Sequence, residues 1–170
     1  MATFTNRIIR AAKLDVHLYE EVEADPGTMG QAMGVVVLSS VAAGLAVAGR
    51  TGLVGLFVGI IGALISWFVW AYLTYFIGTK ILPEPQTRAN HGELLRTIGF
   101  SSAPGLIQVL GIIPAVGILV MPVASIWMLI AMVIAVRQAL DYSGTLRAAG
   151  VCIIGWIFLI IIRAVLLNLI

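Results

Sequence analysis

Long apolar runs, separated by short polar stretches, dominate the pattern of this chain. An α-helix that crosses a membrane needs about 20 mostly apolar residues in a row. Two uncharged windows of that length come first, and a third, at residues 97–136, is about twice as long as one crossing requires. Near its middle lie Gly111, Pro114 and Gly117, which are typical of a tight turn between two helices. The pattern therefore predicts five spans, at about residues 29–48, 53–77, 98–113, 116–136 and 148–170.

The first 27 residues follow a different pattern, with apolar positions at intervals of three and four. The residues that share one helical face are Phe4, Ile8, Ala11, Leu14, Leu18 and Val22. We expect one amphipathic helix in the membrane interface, where Arg7, Arg10 and Lys13 meet anionic lipid headgroups. A docking helix for a partner protein is the alternative. The predicted fold is an all-α integral membrane protein, with an interfacial helix in residues 1–27 and a five-helix transmembrane bundle in residues 28–170.

Composition agrees with a membrane protein. The chain is 61% hydrophobic and 11% charged, whereas a soluble domain is about 45–50% apolar and about 25% charged. These values exclude a soluble enzyme and a disordered tail. The net charge of +2 is too small for a nucleic-acid-binding surface, so no nucleic-acid partner is expected.

The charged residues are distributed unevenly between the predicted loops. With five spans, the N-terminal segment and the loops after the second and fourth spans share one side of the membrane. That side holds eight of the ten Lys and Arg residues, and Arg50 and Arg163 are the exceptions. Since basic residues favour the cytoplasmic side, the N-terminus is predicted inside and the C-terminus outside. In one inner loop, Asn90 followed by Glu93 is typical of a capping box that begins a helix.

Few residues within the predicted spans could carry chemistry. Arg163 is the one charged residue there, so a proton relay has no candidates. Its side chain either extends to the outer headgroups or pairs with a partner subunit or a lipid phosphate. The polar residues of a candidate intramembrane site are Ser101, Ser102, Gln108 and Arg163. Gln108, beyond a kink at Pro104, either lines a cavity or packs between helices. No motif predicts a catalytic, cofactor or metal site.

Small residues recur every four positions in the first three predicted spans. They are Gly30, Gly34, Gly55, Gly59, Ala63, Gly99 and Ala103. In lipid, faces of small residues let helix backbones approach closely. The pattern predicts tight helix packing, either within one chain or in an oligomer.

Several segments together resemble the bacterial branch of the Yip family. They are YEEVEADP at residues 19–26, LLRTIGFSSAP at 94–104, IIPAVG at 112–117, and Trp127 in the fourth span. The resemblance implies five packed helices, a cytoplasmic N-terminus and a location in the bacterial inner membrane. Eukaryotic members of the family interact with Ypt/Rab GTPases through a longer N-terminal region with an Asp-Leu-Tyr type motif. Only HLYE at residues 17–20 is similar here, so Rab binding is not expected.

Three functions remain open on these observations. The first is a non-enzymatic scaffold or accessory subunit that binds membrane lipids or partner proteins, as a homo-oligomer or within a larger membrane complex. The second is a small oligomeric transporter or channel that uses the region from Pro104 to Gln108, and bacterial members of the family are often described as permeases. The third is a lipid enzyme, which is least favoured because no nucleophile–base pair or metal set is visible. We therefore expect neither an enzyme nor a cofactor.

Overall fold

A computed structural model of the chain contains helices and connecting turns, with no strand among the residues it describes. Residues 2–47, 52–113 and 115–161 are described in full, and residues 48–51, 114 and 162–169 by their backbone alone. The α-helices are α1 (Phe4–Ala12), α2 (Val16–Ala24), α3 (Met29–Phe76), α4 (His91–Phe100), α5 (Pro114–Ala139) and α6 (Thr145–Leu169). A short 3₁₀ turn at Pro26–Thr28 precedes α3, and a π-helical turn at Ile77–Ile81 follows it. A 3₁₀-helix covers Ala103–Ile112.

The first two predicted spans are the two halves of α3, which is broken at Gly52. The φ angle of Gly52 is 63°, a left-handed conformation that glycine adopts without the Cβ clash of other residues. The two halves pack together near this break, because a Cβ atom on Gly44 would come within 2.5 Å of the Cδ1 atom of Leu56. By length and composition, Pro26–Val47 and Gly52–Ile81 can each cross a membrane. Two apolar helical segments thus lie where two spans were predicted, and their crossing of a membrane stays a prediction.

The third predicted span, at residues 98–113, is not an α-helical crossing. Helix α4 ends at Phe100, and the chain continues as a 3₁₀-helix from Ala103 to Ile112, packed between α3 and α5. Pro104 lacks an amide hydrogen and disfavours α-helical geometry at the residue before it, so the α-helix cannot continue. Ten residues at the 3₁₀ rise of about 2.0 Å still extend about 20 Å.

The last two predicted spans correspond to α5 and α6. In α5, Ala115–Ala139 is long and apolar enough to cross a membrane, as the fourth predicted span requires. The fully described part of α6, Thr145–Ile161, is a shorter apolar helix. Three segments of the described chain therefore qualify as spans by length and composition, and the bundle of five helical crossings stays a prediction.

The N-terminal segment forms two helices, so the prediction of one continuous amphipathic helix is wrong. The chain turns at Leu14, whose φ angle is 63°, and the carboxylate of Asp15 accepts a hydrogen bond from the backbone N–H of His17 to begin α2. The turn lets both helices bury their apolar faces against the bundle. Ala11, Leu18 and Val22 are fully buried, in a core that also contains residues of α3, α4 and α5.

The charged side chains that the structure describes lie at one end of the bundle. We call this end the polar cap: residues 4–28, 80–96 and 137–147. Helices α3, α4 and α6 begin there, and α5 ends there. The uneven distribution of charge predicted from the sequence is therefore present in three dimensions. The side of the membrane that the cap faces stays a prediction.

Candidate functional site

Buried Arg7 joins three elements of the polar cap. Only 6% of the surface of Arg7 is exposed, although Arg7 lies in the segment predicted to contact lipid headgroups. Its Nε donates to Oε1 of Glu21 at 2.9 Å, and its two terminal nitrogens donate to Gln31 at 3.1 Å and to Asp25 at 3.4 Å. Arg7 thus connects α1 with α2 and with the start of α3.

Arg10 extends this network on the same side of α1. Its guanidinium contacts Asp15 at 2.7 Å and the second carboxylate oxygen of Glu21 at 2.6 Å. These hydrogen bonds lower the pKa of both carboxyl groups. Lys13, the third residue predicted to meet headgroups, is exposed at the end of α1. Contact of these three residues with lipid stays a prediction, but Arg7 and Arg10 also hold the two helices together.

Arg96 anchors the end of α2 from α4. It is 5% exposed, and its Nε donates to the carbonyl oxygen of Val22 at 2.8 Å, while a terminal nitrogen donates to that of Glu23. The last carbonyl groups of a helix have no partner within the helix and carry partial negative charge. A buried guanidinium is therefore well matched to this position. The sequence signal was a single arginine within an otherwise apolar segment, LLRTIGF.

An acidic pocket opens in the cap beside the end of α2. Its volume is about 530 Å³, and it is lined by Glu20, Glu23, Ala24, Glu93, Arg137, Gln138, Asp141 and Tyr142. Burial, and then the charges of Asp141 and Glu93, raise the pKa of Glu23 to about 7, while Arg96 acts in the opposite direction. Among the described residues, no group of three or more His, Cys, Asp or Glu side chains is arranged to hold a metal ion.

Hydrogen bonds and an ion pair join the remaining loops of the cap to one another. The hydroxyl of Tyr142 donates to the carbonyl oxygens of Gly78 at 3.1 Å and of Leu82 at 2.8 Å. The carboxylate of Glu84 accepts from the backbone and the hydroxyl of Ser143, both at 2.9 Å, and pairs with Arg147. The turn between α5 and α6 is thereby tied to the loop that follows α3.

A larger cavity lies away from the cap, between both halves of α3, the 3₁₀-helix, α5 and α6. Its volume is about 720 Å³. Its polar side chains are Ser39, Ser40, Ser66, Ser102 and Gln108. The amide of Gln108 is 3.9 Å from the sulfur of Met128 on the facing wall. We call this space the intramembrane cavity.

The predicted polar site is partly assembled at this cavity. Ser102 and Gln108 line it together. Ser101 is 1% exposed, and its hydroxyl donates to the carbonyl oxygen of Ile98 at 2.7 Å. Arg163 lies outside the residues that are described in full.

The seven small residues predicted for helix packing have different surroundings. Ala103 is buried, and a Cβ atom on Gly99 would lie 2.8 Å from that of Ala32, so α4 and α3 are close there. Gly34 faces the ring of Phe4, and a Cβ atom on Gly30 would meet nothing within 4 Å. The three residues of the second half of α3 line the intramembrane cavity, and they are Gly55, Gly59 and Ala63.

Trp70, in the second half of α3, has an unusual environment in the cavity wall. It is 7% exposed, and its indole N–H has no hydrogen-bond partner within the described part of the chain. Trp67, one turn earlier, donates to the carbonyl oxygen of Leu95 at 3.0 Å. Trp156 of α6 also lines the cavity but is 63% exposed. The mainly apolar lining can hold an apolar molecule.

Comparison with known proteins identifies the family. The family model of the Yip1 domain matches residues 19–166, from α2 into α6. No curated protein and no solved structure matches the chain significantly. The matched range contains the intramembrane cavity and the polar cap except for its residues 4–18. Because the match covers most of the chain, the protein belongs to the Yip family.

Proposed function

We propose that this Yip-family membrane protein is a non-enzymatic scaffold or accessory subunit, and that its polar cap is the docking surface for partner proteins. The observation that carries the proposal is the hydrogen-bond network of the cap, in which buried Arg7 and Arg96 join α1, α2, α3 and α4. A surface that is already ordered loses less conformational entropy when it binds. The acidic pocket gives this surface a concave shape and a local negative charge.

The proposal includes location and assembly. The excess of basic residues in the cap favours the cytoplasmic face of a bacterial inner membrane, with the N-terminus inside and the C-terminus outside. The many exposed apolar side chains of α3, α5 and α6 supply faces for lipid or for another helix. We propose a homo-oligomer or a subunit of a larger membrane complex.

Cross-linking in native membranes tests the docking role. Glu20 is an exposed acid at the rim of the acidic pocket, where it accepts a hydrogen bond from Gln138 at 2.9 Å. A reagent that joins carboxylates to amines should connect Glu20 or Asp141 to lysines of a second protein, which peptide mass spectrometry can map. Glu20→Lys should abolish these links because it reverses the local charge.

The matched control is Asn6→Lys. Asn6 is exposed on α1 and does not line the pocket. This variant should keep the cross-links at Asp141. Native membranes in which the cap forms no link to any other chain, or equal effects of the two variants, would exclude the cap as the docking surface.

A small oligomeric transporter is the second candidate, since Gln108 and Ser102 line the intramembrane cavity. Purified protein in liposomes should then pass a solute, and Gln108→Leu should reduce the flux because it removes the amide. Ser101→Ala is the control, since that hydroxyl is bonded within its own helix turn and does not line the cavity. Flux that is the same for wild-type protein and Gln108→Leu removes this candidate.

A further inference from the structure

The 3₁₀-helix at Ala103–Ile112 is longer than this geometry normally allows. Runs beyond about three or four residues are uncommon, because the hydrogen bonds of a 3₁₀-helix are less well aligned than those of an α-helix. This one has ten residues. Pro104 explains why the preceding α-helix stops, but it does not explain why the residues after it stay in 3₁₀ geometry. Contacts with neighbouring helices must therefore favour that geometry.

We propose that the 3₁₀ geometry is specified by glycines six residues apart that pack on small residues of α3, and that it lets a short apolar segment reach the membrane side opposite the polar cap. This inference goes beyond the docking role of the cap and does not depend on it. It rests on the contacts of the glycines, on the periods of the two helix types and on the length of the segment.

Three glycines of this segment lie against three small residues of the first half of α3. The pairs, each glycine followed by its partner on α3, are Gly99 with Ala32, Gly105 with Ser39, and Gly111 with Ala46. A Cβ atom on the first or the last of these glycines would lie within 2.9 Å of the partner's Cβ atom. One on the middle glycine would overlap the hydroxyl of the serine. Any side chain at these three positions would therefore push the two segments apart.

The spacing of these residues fits two different helix types. The partners on α3 are seven residues apart, close to two turns of an α-helix at about 3.6 residues per turn. The glycines are six residues apart, which is two turns of a 3₁₀-helix at about 3.0 residues per turn. In an α-helix, residues six apart point about 120° away from each other, so Gly105 and Gly111 could not both face α3. Close packing on α3 therefore selects the 3₁₀ geometry.

The length of the segment matches the thickness of a membrane only in this geometry. As an α-helix, the predicted span at residues 98–113 would extend about 24 Å, whereas the hydrocarbon core is about 30 Å thick. The ten 3₁₀ residues each rise about 0.5 Å more, which brings the total to about 29 Å. Gly111 lies beside Ala46, which is about 25 Å along α3 from Met29 at the polar cap. The 3₁₀-helix therefore ends near the far end of the bundle.

The backbone of the segment is paired in a way that hydrocarbon requires. At its two ends, the N–H of Gly105 donates to the carbonyl oxygen of Ser102 at 2.9 Å, and the N–H of Ile113 donates to that of Leu110 at 3.2 Å. A backbone group inside a membrane needs such a partner, because no water can replace it there. A 3₁₀-helix supplies these partners within the segment, as an α-helix does.

A compensating substitution tests the glycine contacts. Gly111→Ala adds a methyl group against Ala46, so it should lower the unfolding temperature of the protein in mild detergent by about 5 °C. Ala46→Gly should lower the unfolding temperature of the wild-type chain, because glycine disfavours the helix. In the Gly111→Ala chain the same substitution should raise the unfolding temperature, because it removes the opposing Cβ atom.

The matched control is Ala42→Gly, one turn earlier on α3. Ala42 has no atom within 4 Å of a Cβ atom on Gly111. This substitution should lower the unfolding temperature in both the wild-type and the Gly111→Ala chains. If Ala46→Gly also lowers it in both chains, or if Gly111→Ala is as stable as the wild type, the glycine contacts do not specify the geometry.

Labelling of single cysteines tests whether the segment reaches the other side. Cys152, the one cysteine of the sequence, is first replaced by alanine. Ala115→Cys then reports the turn after the 3₁₀-helix, and Gln86→Cys reports the polar cap, since both positions are exposed. In sealed spheroplasts of bacteria that produce the protein, a maleimide that cannot cross membranes should label only one of these two cysteines. The other should become labelled only after the membrane is permeabilised.

This result is expected whichever side of the membrane the polar cap faces. Labelling of both cysteines at the same step would place the turn and the cap on one side. No labelling of Ala115→Cys at either step would leave the turn inside the hydrocarbon. Each of these two outcomes overturns the proposal that the 3₁₀-helix completes a crossing.

Discussion

In the polar cap, the buried side chains of Arg7 and Arg96 donate to carboxylate, amide and carbonyl oxygens of neighbouring helices. In the wall of the intramembrane cavity, buried Trp70 has a donor with no partner in the described chain. In the cap, these guanidinium groups satisfy carboxylates and helix-end carbonyl oxygens, although Nε2 of His91 there is also buried without a partner among the described residues. Among the described residues, no charged side chain lines the intramembrane cavity. One end of this bundle is held together by buried charged hydrogen bonds, and the other leaves an open, mostly apolar space.

The strongest test of the fixed cap is removal of Arg96. Arg96→Ala leaves the carbonyl oxygens of Val22 and Glu23 buried without their donor, and we expect a loss of about 3 kcal/mol in the free energy of unfolding. Thermal unfolding of the protein in mild detergent, followed by circular dichroism, measures it. Arg88→Ala, at an exposed loop position, should change stability by less than about 0.5 kcal/mol. Equal effects of the two substitutions would mean that Arg96 does not hold the cap.

Arg7 should matter somewhat less, because its partners Glu21 and Asp25 are partly exposed and water can replace the guanidinium there. Arg7→Met keeps an apolar stem but removes the bonds to Glu21, Asp25 and Gln31, so we expect a loss of about 2 kcal/mol. Protease should also cut between α1 and α2 more quickly. Lys13→Met is the control, since that side chain is exposed. Unchanged protection from protease would show that apolar packing alone retains the two helices.

Two glycines near the intramembrane cavity should respond in opposite ways to substitution by alanine. A Cβ atom on Gly105 would lie within 2.8 Å of the sulfur of Met128, and even closer to the hydroxyl of Ser39, whereas one on Gly59 meets nothing. Gly105→Ala should therefore destabilise the protein by about 1–3 kcal/mol through overpacking. Gly59→Ala should stabilise it by up to about 1 kcal/mol because alanine favours the helix. Chemical unfolding of both variants measures these changes. If Gly105→Ala does not lower the free energy of unfolding, Ser39 and Met128 must move to accommodate the added methyl group.

The smallest effect expected concerns the pH dependence of the cap. The pKa of Glu23 is raised from its ordinary value of 4.5 to about 7 by burial and by neighbouring acids. Between these values the folded state holds a proton that the unfolded state releases, so this group lowers stability as pH rises from about 4.5 to 7. Glu23→Gln should remove that decrease and raise stability at pH 8 by about 1 kcal/mol, since solvent screens a half-buried carboxyl. Unfolding curves at pH 5 and pH 8 measure it. A variant with the wild-type pH dependence contradicts the shift.

The sequence predicted the local features of this fold well. The apolar windows located both halves of α3 and helix α5, and the Asn90–Glu93 pair forms the expected capping box at the start of α4. Each of these depends on residues within a few positions of one another. The break at Leu14 could not be predicted from periodicity, because the apolar spacing continues through it. The turn is favoured by the packing of α2 against α4 and α5.

The 3₁₀-helix had a partial signal. The sequence indicated a kink at Pro104, and the α-helix does stop just before it. That the following residues form a 3₁₀-helix packed between α3 and α5 depends on neighbours that are distant in sequence, such as Ser39 and Met128 around Gly105. Sequence spacing cannot identify such contacts.

By itself, the sequence determined which segments are apolar enough to enter a membrane, where several helices begin, and that the charged residues gather at one end. These properties follow from the composition and order of nearby residues. Only the tertiary structure decided that Arg7 is buried, that Gly55 and Gly59 line a cavity, and that the Trp70 indole N–H has no partner among the described residues. The spacing of apolar residues along the sequence indicates which side chains share one face of a helix. What that face contacts depends on how helices distant in sequence pack. This packing forms a hydrogen-bonded polar cap at one end of the bundle and leaves an open cavity elsewhere.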